Sequence, residues 1–364
     1  MEHIDVVVIG AGVTGLASAG AIAERGRSVC VVERHPRAGL DTSTHNSGVI
    51  HAGIYYPPGT LKARLCVEGK RRLYEFCASH DVPHENCGKL IVALDEAGIP
   101  QLEALWRQGQ ANGLDDLRIV DRAFIAAREP AVHAHAALWS PSTGIVDAEA
   151  LVRTLLRCAT DSGAVFLPAT HIVAAEEDAD GLRLRTNRET IHARVVVNAA
   201  GLYADDVSAL VGGEPFTIYP CRGEYAEFVA ASRPSVRTLV YPLPDPSGHG
   251  LGVHLVRTTG NQMWLGPTIR YQARKDDYES DRMPVERFAE AARWLGDVAP
   301  TDLRLAGSGI RAKIHPPEQS FGDFMIRRDR LNPFLIHAAG IDSPGLTSCL
   351  AIGDLVSSLA SELL

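Results

Sequence analysis

The sequence predicts an α/β protein of two interleaved parts: a Rossmann-like parallel-sheet domain and a second, mainly antiparallel β-sheet domain with helices (α+β). Three observations carry this. The chain opens on an apolar run, a glycine turn, an Ala-rich helical stretch and a second apolar run that ends in an acid. Residues 194–198 read as another buried strand, ending in Ala199, Ala200 and Gly201. Residues 217–270 then turn β-rich, with aromatic positions at Tyr219, Tyr225, Phe228 and Tyr241. At 364 residues and 46% hydrophobic content the chain can bury a core large enough for two domains.

The opening unit defines one ligand. Residues 4–9 (IDVVVI) lead into Gly10, Gly12 and Gly15, and residues 29–33 close on Glu33. Gly10 allows the turn off the strand, Gly12 lets the backbone approach a pyrophosphate, and Gly15 lets the helix pack close to the sheet. The helix, entered through Val13 and Thr14, presents free N–H groups and a partial positive charge. Glu33 is placed to accept hydrogen bonds from ribose hydroxyls, and its charge disfavours a 2′-phosphate. A dinucleotide site follows, although the motif alone does not separate a flavin from a nicotinamide dinucleotide.

Residues 42–58 come directly after this unit and hold Thr42, Ser43, Thr44, His45, Asn46, Ser47, Gly48, Ile50, His51 and two tyrosines. The stretch is too polar for a core strand and too aromatic for a flexible linker, and suits a loop wrapped around a flat polar ligand. Farther along, Asp147 reads as the N-cap of an amphipathic helix, and Asp180-Gly181 as a hairpin turn. A polar helix is expected over residues 285–295. Near the end, Ser343 and Pro344 read as N-cap and first position of a helix running to 363, aimed at the ligand by Gly345, Leu346 and Thr347.

Composition excludes other functions. The net charge of −8 comes without a basic tract, which argues against nucleic acid as partner. Seven cysteines form no Cys-x-x-Cys pair, and His133 and His135 lack a third ligand at metal-like spacing. No stretch approaches a membrane span, and Glu2 and Asp5 replace the basic start of a signal peptide. A cytoplasmic enzyme is the resulting expectation.

Residues 43–69 (STHNSGVIHAGIYYPPGTLKARLCVEG) resemble the L-2-hydroxyglutarate dehydrogenase/oxidase family, within the D-amino acid oxidase-like flavoproteins. Residues 198–205, 222–225, 252–254, 309–313 and 340–347 match it too. The resemblance implies FAD as cofactor and hydride transfer from C2 of a 2-hydroxy acid to flavin N5, with a quinone, an electron carrier or O2 taking the electrons. It also implies that Arg34, Val173, Gly201, Gly309 and Arg311 belong with the cofactor residues above. Covalent flavin attachment at His45, seen in dimethylglycine-type relatives, stays open. The FAD-binding domain is expected over 1–72, 145–215 and 330–364, and the substrate domain over 73–144 and 216–329.

Arg311 is the candidate for binding the substrate carboxylate, with Arg222, Lys313 and Lys62 as candidates for a second carboxylate and Tyr225 and Tyr241 lining the pocket. His254 is the favoured base and His51 the second. An amine or amino acid oxidase of the same fold, or an FAD-binding protein without turnover, are the alternatives.

Overall fold

The computed structural model describes residues 2–244 and 252–364. Its first sheet has eight strands with Glu2–Ile9 at the centre, flanked in parallel by Val29–Val32 on one side and Thr190–Asn198 on the other. Leu335–Ala339 joins in parallel beside Val196, Val197 and Asn198. Parallel strands are covered on both faces, so they read as unbroken apolar runs. Val6, Val7 and Val8 are accordingly fully buried. The helices Val13–Ala23, Ala148–Asp161 and Gly345–Ser361 pack on one face. Asp147 caps the second of these, its side chain accepting from the Ala150 N–H at 2.8 Å.

The second sheet has nine strands. Its order is Arg270–Tyr271, Tyr219–Phe228, Met263–Gly266, His254–Arg257, Leu239–Pro242, Lys89–Ala93, Ala136–Ser140 and Arg118–Asp121, with the long strand Leu303–Lys313 also paired to Tyr219–Phe228. Every pairing is antiparallel except Leu239–Pro242 with Lys89–Ala93. The two sheets take their strands from alternating pieces of the chain. Met325–Arg328 hydrogen-bonds to Leu335–Ala339, so the last piece enters the first sheet before residue 330.

Two helices differ from expectation at their ends. The polar helix stops at Ala291 and continues only as a 3-10 turn, Arg293–Leu295, before Gly296 takes a φ of 112°. The final helix starts at Gly345 with Pro344 at the cap position, because Ser343 Oγ is engaged by Tyr56 and His51. It ends at Ser361 rather than 363.

One close approach ties the two parts together. The strand Leu303–Lys313 passes directly over the 41–48 loop: a Cβ on Gly309 would lie 1.8 Å from the His45 carbonyl oxygen, and Thr42 Oγ1 donates to the Ile310 carbonyl at 2.8 Å. Gly309→Ala should therefore force the loop off the strand and cost about 1–3 kcal/mol in urea unfolding, with loss of bound cofactor. Unchanged stability and cofactor content would show that the loop can give way freely.

Candidate active site

A cavity of about 470 Å³ runs from the C-terminal edge of the parallel strands to the face of the antiparallel sheet. Ligands of open α/β sheets bind at that edge. Gly10, Gly12, Val13, Thr14, Glu33, Arg34, Ala199, Ala200 and Gly201 line one end. Glu33 is buried and accepts from the Ala11 and His35 N–H groups, each at 2.8 Å. It therefore braces the glycine turn and keeps lone pairs for ribose hydroxyls. The Arg34 guanidinium lies 3.6 Å from the Tyr203 ring centroid and pairs with Asp41 at 2.8 Å.

The 41–48 loop holds itself in shape. Asn46 Nδ2 donates to the Thr42 and Ser43 carbonyls, while its oxygen accepts from the Gly48 N–H. His45 Nδ1 donates to the Asp41 carbonyl at 2.8 Å, and Ser43 Oγ accepts from the Val13 N–H at 3.0 Å. Thr42, Ser43, His45, Asn46 and Ser47 thus line the cavity, next to Gly309. Gly15, Thr44, Gly48 and Ile50 lie outside the lining and act on its shape: Thr44 Oγ1 donates to Gly39, and Ile50 is core. Val173 is 40% exposed and points away, because its neighbour Ile172 takes the inward place on the strand.

The N-terminus of the last helix enters the cavity at Gly345 and Leu346. The Gly345 N–H is taken by the Asp342 carbonyl at 2.6 Å. Thr347 is buried, and its hydroxyl accepts from the His51 N–H and donates to the Val49 carbonyl. Its side chain pins the loop rather than facing a ligand.

At the other end stand Arg311, His254, His51, Tyr225, Tyr241, Lys62 and Lys313. Arg311 Nη1 donates to the Thr268 carbonyl at 3.2 Å, and among the described residues no carboxylate pairs with the guanidinium. His254 stacks on Tyr241 with centroids 3.7 Å apart, and its Nδ1 donates to the Gly252 carbonyl at 2.9 Å. That donation leaves the lone pair of the neutral ring on Nε2. Burial pushes His254 down to about 3, with Lys89, His51 and Arg311 adding to it and the Gly252 bond opposing. Burial, then Lys89, does the same to His51, whose Nε2 meets Ser343 Oγ at 3.3 Å.

Lys62 pairs with Asp342 at 2.5 Å and Lys313 with the same carboxylate at 3.6 Å. Arg222 does not reach the cavity. Cys221 shares the face of Arg311, touching it through Sγ, so its neighbour Arg222 points to the opposite face. There it is buried, paired with Glu224 at 2.8 Å and bonded to the Asp277 and Ser280 carbonyls.

The residues fit a flavin dinucleotide: the glycine turn, helix N-terminus and Glu33 match a pyrophosphate and ribose, and a Cβ on Gly12 would reach within 2.8 Å of Ser43 Oγ and close the cradle. Sequence reasoning missed His171, Ile172, Val207 and Leu210 at the dinucleotide end and His315, Phe321 and Asp342 at the other. Only Asp342 carried a signal, as the acid just before the last helix. Glu33→Ala should weaken FAD by about 1–3 kcal/mol, since it removes both the brace and the charged acceptor. Flavin content after dialysis checks this, and full retention would contradict the assigned role.

The family model described as FAD dependent oxidoreductase matches residues 5–359. The mitochondrial L-2-hydroxyglutarate dehydrogenase of Arabidopsis thaliana is 32% identical over 98% of this chain and 83% of its own length. Its counterpart in Mus musculus is 36% identical over 97% and 88%. Among solved structures, dithionite-reduced L-alpha-glycerophosphate oxidase from Mycoplasma pneumoniae with FAD bound aligns at a TM-score of 0.90, 26% identical over 99% of this chain and 95% of that one. The relatives are named as mitochondrial proteins, which overturns the cytoplasmic expectation: residues at the start of a core strand say nothing of delivery. No helix among the described residues is long and apolar enough to cross a membrane. The chain is an FAD-dependent oxidoreductase and belongs to the L-2-hydroxyglutarate dehydrogenase family.

Proposed function

We propose that this chain oxidises an L-2-hydroxy dicarboxylic acid, with L-2-hydroxyglutarate as the model substrate, to the 2-oxo acid. The observation that carries the reading is Arg311, a cation lining the cavity with no carboxylate partner among the described residues. An unpaired charge there is costly, and a substrate carboxylate held in the guanidinium fork removes the cost. Lys62 and Lys313 share the single charge of Asp342, so that corner also keeps one positive charge in excess. Two anionic groups on one small molecule match both.

FAD, when bound, supplies the two-electron acceptor for the hydride that leaves C2. His254 Nε2 takes the proton of the C2 hydroxyl, its lone pair fixed by the bond from Nδ1 to Gly252. The substrate carboxylates offset the fields of Arg311 and Lys89, which makes His254 a stronger base with substrate in place than without it. Tyr225 and Tyr241 wall the site and exclude water. The electrons go on to an external redox acceptor.

Anaerobic titration of the flavin tests this. The L-2-hydroxy dicarboxylate should bleach it and the D enantiomer should bind without bleaching, because Arg311 and the base fix which face of C2 is presented. Bleaching by amino acids and by no hydroxy acid would overturn the reading. Arg311→Lys should lower kcat/KM at least about tenfold with flavin content intact. His254→Ala should slow flavin reduction by about a hundredfold or more, and His51→Ala by less. The reverse order would move the base to His51.

A further inference from the structure

Lys89 opens the strand Lys89–Ala93 in the middle of the antiparallel sheet and is 1% exposed. Its Nζ lies 4.5 Å from the ring centroid of Tyr55 and 4.7 Å from that of Tyr241. Both rings line the cavity. Among the described residues no carboxylate pairs with it and no hydrogen bond is made by its ammonium group. The register explains its place. Leu239 pairs with Lys89 and Val240 with Leu255, so Lys89 and Tyr241 share one face and Tyr241 stands opposite His254. Lys89, diagonal to Tyr241, and Tyr241, opposite His254, lie on one face across three strands, with Tyr241 and His254 lining the cavity and Lys89 behind them.

We propose that Lys89 is a buried counter-charge that adds to the excess positive charge at Lys62 and Lys313 and so strengthens the site's preference for a substrate with a second carboxylate, acting as a positioning residue through the rings of Tyr55 and Tyr241. This rests on the hydroxy-dicarboxylate reading and adds a further residue to the selection of the dianion. The fold does not require a cation here: two tyrosine faces and strand neighbours would hold a methionine of the same length, without the cost of a buried charge. Lys62 and Lys313 differ, since Asp342 already answers half their charge. The groups facing Lys89 are His51 and Tyr55 from the loop, Cys66 from the helix Leu61–Ser79, and Tyr241 and His254 from the sheet. None is a carboxylic acid, and burial pushes the Cys66 thiol up to about 12. The Tyr55 hydroxyl, in the same wall, is buried without a partner.

A carboxylate arriving in front of this wall raises the proton affinity of Lys89, which burial has lowered to about 7. Affinity for a dianion is then full below about 7 and falls as pH rises above it, because protonated Lys89 is the form that binds tightly. The test uses the FAD-loaded enzyme with glutarate and butyrate, which lack the C2 hydroxyl and cannot be oxidised, their binding followed by perturbation of the flavin absorbance from pH 6 to pH 9. In the wild type the glutarate Kd should rise about tenfold or more over that range while the butyrate Kd stays flat. Lys89→Met should weaken glutarate about tenfold at pH 6, abolish the pH dependence and leave butyrate unchanged. Lys89→Arg should restore tight glutarate binding without the pH dependence, because a guanidinium stays charged. Equal loss of both ligands in Lys89→Met, or wild-type glutarate affinity that is flat with pH, would overturn the proposal. The second measurement needs no variant to fold. Neither ligand turns over, so a failure to oxidise hydroxy acids would sink the functional reading and leave this result to be judged separately.

Discussion

A positive charge held away from water without a counter-ion is the interaction around which this molecule is arranged. Most arginines on its surface find a carboxylate, as Arg34 does in Asp41 and Arg327 in Glu214. Arg311 lines the cavity, and among the described residues its guanidinium donates to a carbonyl and a thiol and pairs with no carboxylate. Lys62 and Lys313 divide one aspartate between them. Such an arrangement costs free energy, and the antiparallel sheet and the helix Leu61–Ser79 hold these groups in place against it. Burial above all, with Lys89 and, for His254, Arg311 adding to it, keeps His51 and His254 neutral, the state in which an imidazole can accept a proton.

The fold brings this cationic corner to a dinucleotide cradle by interleaving two sheets. The parallel strands end at Ile9, Val32, Asn198 and Ala339, the edge at which the backbone and the helix N-terminus would hold the phosphates of FAD. The loop 41–48 leaves that edge and lies under Gly309 of the other sheet, two residues before Arg311. A single glycine contact thus sets how far Arg311 stands from the cofactor end.

The parts legible in the sequence are those whose chemistry is local. A glycine turn between an apolar strand and a helix, with an acid closing the next strand, needs no distant partner to be recognised, and Glu33 and the first βαβ unit follow from it. The β-rich stretch is marked by its aromatic and apolar positions, and Asp147 by its cap position. What was hidden depends on register and on distant partners. Arg222 and Arg311 are both arginines on long strands, and only cross-strand alternation sends one into the cavity and the other into a structural pair with Glu224. Asp342 neutralises Lys62 from the far end of the chain. Lys89 carries no local signal, because the rings that surround it come from a loop and from a strand far away in sequence. The helix starts at Gly345, one residue later than its cap signal suggests, since Ser343 is drawn off by side chains from the 51–56 loop.

Charge complementarity at the end of the cavity can be probed by removing one substrate charge without changing the shape of the molecule. The comparison is kcat/KM for L-2-hydroxyglutarate against its 5-amide, the same molecule with the distal carboxylate made neutral. The account expects the amide to be poorer by about a hundredfold, the equivalent of losing a charge-assisted interaction of roughly 3 kcal/mol. Equal rates for acid and amide would contradict it, because the surplus positive charge would then have no bearing on what the enzyme selects.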